Sequence, residues 1–219
     1  MMKALFIKRS DGSQGGAQVC QFIIRLFTCR LICDTMNAIF HQEAHMSIGI
    51  ILCGLNGAGK STLGRALGAA LGCRFLDIED YYFPERQRYD QPRSREDMLA
   101  ALLPDLRAAG NFVLAAVNVP EEAISARVFT HAVVLCVPPE ERARRLRQRS
   151  QAQFGDRALP GGDLYAAEQR FFAMAAARDE EANARWAAGL GIPVLTLDGT
   201  RAVEENAQAI RQWIKNQEA

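Results

Sequence analysis

No stretch of this 219-residue chain runs for the roughly 20 nearly uncharged residues that a membrane span requires. The nearest approach, CQFIIRLFTCRLIC, is broken by Arg25 and Arg30, and it lacks the uninterrupted apolar core and small-residue cleavage site of a signal peptide. Net charge is lacking too. With 26 basic and 25 acidic residues the formal charge is +1, which exerts no global pull on nucleic acid or an anionic membrane, so any charge-based function must come from local clustering. Internal repeats and low-complexity tracts are absent, and one ordinary globular domain is the default for this length. A disulfide framework is missing as well: there are six cysteines, and Cys53, Cys73 and Cys136 fall inside apolar segments. They read as small core residues of a reducing compartment, and the cytoplasm is the expected location. Apolar residues at 49% and charged residues at 23% are the composition of a soluble chain that folds.

Residues 1–45 differ in character from the remainder. Met46 stands directly before SIGIILCGLNGAGKST, and the natural start is expected there, with residues 1–45 a disordered or non-native upstream extension and 46–219 the functional domain. The extension holds Cys29, Cys33, His41 and His45, the right ligand types for tetrahedral zinc. The interval between the second cysteine and the first histidine is shorter than the roughly 12 to 15 residues of the finger pattern, so scattered residues are the expected reading.

From residue 46 onward, short apolar runs alternate with helical patterns. SIGIILC, RFLDI, NFVLAAV, HAVVLCV and PVLTL read as buried parallel strands. Between them KSTLGRALGAALG, SREDMLAALLPDLRAAG, PEERARRLRQRS, DLYAAEQRFFAMAAARDEEANARWAAG and AVEENAQAIRQWIKN read as helices. This alternation predicts an α/β domain, a parallel sheet covered on both faces through right-handed crossovers.

At the first strand-to-helix junction stands GLNGAGKST. Gly54, Gly59, Lys60 and Ser61 fit the phosphate-loop pattern, a glycine, four residues, then glycine, lysine and serine, in the setting the pattern requires. Glycines let the backbone curl so that successive N–H groups converge on an anion. A helix starting near Gly59 adds its positive end, Lys60 reaches the β and γ phosphates, and Ser61 ligates magnesium. The nucleotide-binding stretch is thus Gly54, Leu55, Asn56, Gly57, Ala58, Gly59, Lys60, Ser61 and Thr62, in which Asn56 and Thr62 also suit plain turn and helix roles. The strand NFVLAAVNVP ends in Asn118 and not in the carboxylate of motors and large ATPase modules. Carboxylates appear instead in FLDIEDYYFP, where Asp77, Glu79 and Asp80 fall at the carboxyl end of the second strand.

On these residues, GLNGAGKSTLGRALGAALGCRFLDIEDYY resembles the opening of the small P-loop kinases, the group of shikimate, gluconate, nucleoside and adenylate kinases. The resemblance implies strand order 2-3-1-4-5, an arginine-bearing lid, ATP and Mg2+ as cofactors, and an aspartate after the second strand that orients or deprotonates the acceptor hydroxyl or supports the metal. Asp77 and Asp80 are the positions that inherit this role, with Ser61 and Asp77 at the metal. For the lid, the run from Pro139 places Arg142, Arg145 and Arg149 on one helix face, with Arg157 beyond a glycine. Arg145, Arg149 and Arg157 are the expected phosphate partners, while Glu140 with Arg144 and Glu141 with Arg145 have the spacing of surface ion pairs. Asp163 reads as a helix N-cap. By the same resemblance Asp198, Gly199 and Thr200 lie along the adenine ring, and a turn before the last helix explains them equally.

The acceptor site is expected between the second-strand carboxylates and YYFPERQRYDQPRSRED, with Tyr81 and Tyr82 as walls and Arg86, Arg88, Arg93 and Arg95 facing an anionic group. No acceptor signature of shikimate or gluconate kinases is complete. The resulting expectation is a monomeric or dimeric phosphotransferase with ATP and an unidentified small-molecule acceptor as partners. The alternatives are a kinase of nucleic-acid ends, whose arginines would track phosphates, and an ATP-binding regulator without transfer activity.

Overall fold

The computed structural model describes residues 47–84 and 92–217. The upstream extension, the Cys29, Cys33, His41 and His45 quartet, Arg86 and Arg88 lie outside the described residues.

Five strands form one parallel sheet, β1 (Gly49–Cys53), β2 (Arg74–Asp77), β3 (Phe112–Ala116), β4 (His131–Cys136) and β5 (Val194–Asp198), in the order β2-β3-β1-β4-β5. β1 and β3 sit at the centre and are buried along their whole length, which is why both read as unbroken apolar runs. Their side chains alternate between two cores. Ile51, Leu114 and Phe112 face one side with Met98, Leu102 and Leu106, while Ile50, Leu52 and Val113 face the other with Leu63, Leu67, Ile210 and Ile214.

The helices follow from local chemistry. α1 (Lys60–Leu71) ends at Gly72, a left-handed C-cap whose N–H donates to the Gly68 carbonyl. α2 (Ile78–Tyr82) is a single short turn of helix started by the side chain of Asp77. α3 (Arg95–Ala108) begins at Ser94, whose hydroxyl accepts from the Asp97 N–H at 3.1 Å, and its residues 98, 102 and 106 repeat at helical spacing into the core. α4 (Glu121–Ser125) and α5 (Pro139–Phe154) follow β3 and β4, and a 3₁₀ turn, Gly155–Ala158, extends α5. α6 (Tyr165–Ala176), α7 (Ala182–Ala188) and α8 (Val203–Gln217) complete the chain.

Three expectations change here. The stretch read as one helix over 163–189 is two, and in the break between them the Asp179 carboxylate accepts from the Glu181 N–H at 2.9 Å and pairs with Arg185. Asp163 is not an N-cap; α6 begins at Tyr165 without a side-chain cap, and Asp163 pairs with Arg157 instead. Cys53 is a core thiol, donating to the Val133 carbonyl at 3.3 Å with burial pushing its pKa up to about 12, but Cys136 ends β4 exposed. Among the described residues no helix is long and apolar enough to cross a membrane.

Gly49 tests the register of β1 directly. A methyl group there would lie 2.0 Å from the backbone carbonyl oxygen of Val128, which no side-chain rotation relieves. Gly49→Ala is expected to lower stability by about 1–3 kcal/mol in urea unfolding. A loss under about 0.5 kcal/mol, the range of neutral surface changes, would contradict this packing.

Candidate functional site

The loop between β1 and α1 turns sharply. The Ala58 N–H donates to the Leu55 carbonyl at 3.1 Å across Asn56 and Gly57, and Gly57 takes φ +84°. A side chain on Gly57 would strike the Arg142 carbonyl at 2.6 Å, so only glycine lets the loop lie against the start of α5. Gly59, at φ +97°, then turns the chain into α1 with no side-chain cap and no acidic residue in the first turn. The first amides of that helix are therefore left for an anion, with the helix dipole favouring negative charge.

Lys60 folds back along this loop. Its ammonium donates to the same Leu55 carbonyl at 3.2 Å, and the side chain is only 9% exposed. Burial lowers its pKa from 10.5 to about 8; nearby Glu79 and Asp77 pull it back up, and Arg149 pushes it further down. No carboxylate lies within 4.0 Å of the ammonium among the described residues. On the next residue, the Ser61 hydroxyl donates to Asp77 Oδ2 at 2.6 Å. Asp77 is the last residue of β2 and is buried, and its Oδ1 accepts from the Glu79 N–H at 3.2 Å. Asp77 is thus also the N-cap of α2.

These groups open onto one cleft of about 480 Å³, whose walls include Asn56, Gly57, Gly59, Lys60, Ser61, Thr62, Asp77, Glu79, Asp80, Arg145 and Arg149. Gly54, Leu55 and Ala58 are buried beneath it. The arginines separate by environment. Arg142 points into the protein, donating to the Val137 carbonyl and pairing with Glu180 at 2.6 Å. Arg144 is exposed and pairs with Glu141, not with Glu140. Glu141 also holds Arg145 at 2.7 Å, and the hydrogen bonds from Arg144 and Arg145 draw its carboxyl down to about 2. Arg145 further donates to the Ala58 carbonyl at 3.3 Å and to the Gly199 carbonyl at 3.1 Å, so it ties the phosphate loop to the loop after β5. Arg149 lines the cleft and has no ion-pair partner among the described residues.

Several expected residues are not brought to the cleft. Arg157 is exposed in the 3₁₀ turn and forms a two-pronged pair with Asp163, which occupies the guanidinium elsewhere. Asp198, Gly199 and Thr200 do not form cleft wall: Asp198 accepts both the N–H and the hydroxyl of Thr200, which lowers its pKa, and the Gly199 carbonyl is taken by Arg145. Arg95 pairs with Glu122 at 2.7 Å. Tyr81 donates to Asp105 at 2.6 Å and, with Arg93, borders a second hollow of about 430 Å³ that shares Asp77 and Asp80 with the first; Tyr82 packs on the core.

Arg65 is a cleft residue that the motifs did not single out. Its guanidinium lies 5.0 Å from the centre of the Phe75 ring and donates to the Ser61 carbonyl at 3.3 Å. Its position one turn after Ser61 on α1 is the signal that would have found it.

Sheet order and the glycine loop give the chain the fold of the small P-loop kinases. Residues 50–157 match the family model described as an AAA domain. The chain is 27% identical over 179 residues to the uncharacterized protein YqaC of Bacillus subtilis (strain 168), covering 78% of this chain and 99% of that one. A gluconokinase of Arabidopsis thaliana is 54% identical over 33 residues, 15% of this chain and 18% of its own. Among solved structures, shikimate kinase from Bacteroides thetaiotaomicron superposes with a TM-score of 0.52 at 20% identity, over 77% of this chain and 98% of that one.

The Lys60 site makes a pH prediction. A lysine whose folded pKa is lowered costs the folded state most where it stays protonated, below about 8, and that cost fades as pH rises from 8 toward 10.5. Lys60→Met is expected to stabilise the ligand-free protein at pH 7 by on the order of 2–3 kcal/mol. The gap to the wild type should close by pH 10 in parallel urea titrations; a gap constant with pH would contradict a buried, unpaired ammonium.

Proposed function

We propose that the protein is an ATP-dependent phosphotransferase that moves the γ-phosphate of ATP to a hydroxyl or phosphate of a small molecule. One observation carries this reading: Lys60, the Ser61–Asp77 pair, Asp80 and Arg149 all line the same cleft of about 480 Å³. That volume lies within the roughly 300–1,000 Å³ of small-molecule and cofactor sites.

The amides of the glycine loop and the start of α1 hold the phosphate chain, and Lys60 binds its distal end. Magnesium suits the donor set. Among the described residues no three His, Cys, Asp or Glu converge into a self-contained metal cage, whereas Ser61 Oγ and Asp77 offer two hard oxygens 2.6 Å apart. Mg2+ characteristically takes one or two carboxylates, phosphate oxygens and several waters. When bound there, the ion supplies charge neutralisation between the phosphates. Arg149 neutralises the charge that spreads over the γ oxygens during transfer, and Arg145 keeps the loop in place beneath it. Asp77 and Asp80, which line the same cleft, orient or deprotonate the incoming acceptor. Little covalent chemistry is required of the protein; positioning and electrostatics supply the catalysis.

Two measurements test the reading. Mg-ATP at 100 times its Kd is expected to stabilise the wild type by about 2.7 kcal/mol and Lys60→Ala scarcely at all; unchanged melting of the wild type would end the nucleotide proposal. In a screen of hydroxylated and phosphorylated small molecules followed by ADP formation, turnover should require Asp77 and fall about 100-fold or more in Arg149→Ala. Arg157→Ala should keep the wild-type rate. Binding of ATP with no acceptor-dependent turnover across the screen would instead favour a nucleotide-binding regulator.

A further inference from the structure

Four cations line the cleft, Lys60, Arg65, Arg145 and Arg149, and the ATP reading leaves one of them without a task. Lys60 and Arg149 serve the phosphate chain. Arg145 is held by Glu141 and by the Ala58 and Gly199 carbonyls. Arg65 remains. It is exposed, and among the described residues no carboxylate forms an ion pair with it, although Asp77, Glu79 and Asp80 line the same cleft.

The seat of Arg65 is built into two elements. α1 carries glycine at 64 and 68, four residues apart and so on one helix face. A methyl group on Gly64 would lie 2.4 Å from Phe75 Cε2, and one on Gly68 would lie 3.0 Å from the Cys73 carbonyl oxygen. That bare face lets the Phe75 ring lie against the helix, and the Arg65 guanidinium rests 5.0 Å from the ring centre. Nη1 also donates to the Ser61 carbonyl at 3.3 Å. A guanidinium has five N–H donors in a planar fork, so a ring face and one carbonyl leave most of them for a ligand.

Position decides which ligand. Arg65 is five residues past Lys60, about 7.5 Å along α1 from the end that meets the phosphates. Phe75 and Asp77 stand two residues apart on β2 and project from the same face, Phe75 against Gly64 and Asp77 against Ser61. The guanidinium therefore accompanies a carboxylate assigned to the acceptor. A neutral alcohol would leave its charge uncompensated. A carboxylate or phosphate group on the acceptor matches the fork in a two-pronged geometry, and offsets the repulsion such a group meets from Asp77, Glu79 and Asp80.

We propose that Arg65 is a specificity-determining residue that binds an oxyanion of the acceptor, carboxylate or phosphate, so that the protein selects a negatively charged acceptor over a neutral one. This rests on the phosphotransferase reading and deepens it by naming the acceptor class.

The test is calorimetric titration of the full chain, saturated with Mg-AMP-PNP, with two matched sets of probes: glycerol, glycerate and glycerol 3-phosphate, and glucose, gluconate and glucose 6-phosphate. In the wild type at least one charged probe should bind roughly 10-fold or more tightly than its neutral counterpart, and its identity distinguishes carboxylate from phosphate. Arg65→Met keeps an apolar stem on the Phe75 ring. It should weaken that probe roughly 10- to 100-fold, the range of a hydrogen bond to a charged group, and leave the neutral probe and AMP-PNP within about twofold. Arg65→Lys, a point charge without the fork, should fall between the two. The assignment is overturned if no charged probe outbinds its neutral counterpart in the wild type, if the preference survives in Arg65→Met, or if AMP-PNP binding weakens as much as probe binding. A lowered melting temperature of Arg65→Met with the preference intact would likewise overturn it, leaving Arg65 only the packing of Phe75. If the wild type does not bind AMP-PNP, the ATP reading fails and this inference with it, whereas intact AMP-PNP binding without a preference for charge overturns this inference alone.

Discussion

A cation kept inside the protein with a neutral carbonyl as its hydrogen-bond partner is the constraint on which the site depends. Lys60 is held against Leu55 by the curl of the glycine loop, and its pKa of about 8 expresses the cost of that placement. The cost is tolerable because the fold surrounding it is rigid: α1 packs Leu63 and Leu67 into the core, and β1 is buried throughout. An anion with several oxygens relieves the strain at once, pairing the ammonium and the uncapped amides of α1 together. A site destabilised when empty and satisfied when filled is the usual form of a preorganised ligand cradle.

Around that cation the sheet sorts the remaining chemistry by side. β2 lies two strands from β1 in the sheet and delivers Asp77 to the Ser61 hydroxyl; β4, on β1's other flank, is followed by the α5 arginines. Acids and guanidinium groups therefore line one cleft. The arginines of this region are distinguished by what they bind: Arg142, outside the cleft, is consumed by Glu180 and Arg157, also outside it, by Asp163, while in the cleft Arg145 holds two loop carbonyls and Glu141, and Arg149 has no ion pair among the described residues. Cleft chemistry thus narrows to fewer residues than the arginine-rich sequence suggests.

What was legible in the sequence was what is local. The glycine loop is eight contiguous residues whose spacing is its mechanism, and the central strands read clearly because burial on both faces leaves no polar alternation. Strand order came from resemblance alone, since nothing in an apolar run records its neighbour. Side-chain partners across long separations were not legible: the Arg145 bond to Gly199 joins residues 54 apart, and no pattern around either signals it. The break before α7 was hidden because helix-forming residues continue through it. The burial of Asn56, whose Oδ1 has no hydrogen-bond partner, was not legible either.

Lys60, its pKa lowered by burial to about 8, stands ready for a phosphate chain. Calorimetry of Mg-ADP binding at pH 8 in two buffers of different ionisation enthalpy measures the protons taken up. With a free pKa of about 8, pushed up by the bound phosphates, the wild type should absorb about half a proton per nucleotide, and Lys60→Met none. Binding without proton uptake by the wild type, or with uptake that survives in Lys60→Met, would contradict the account.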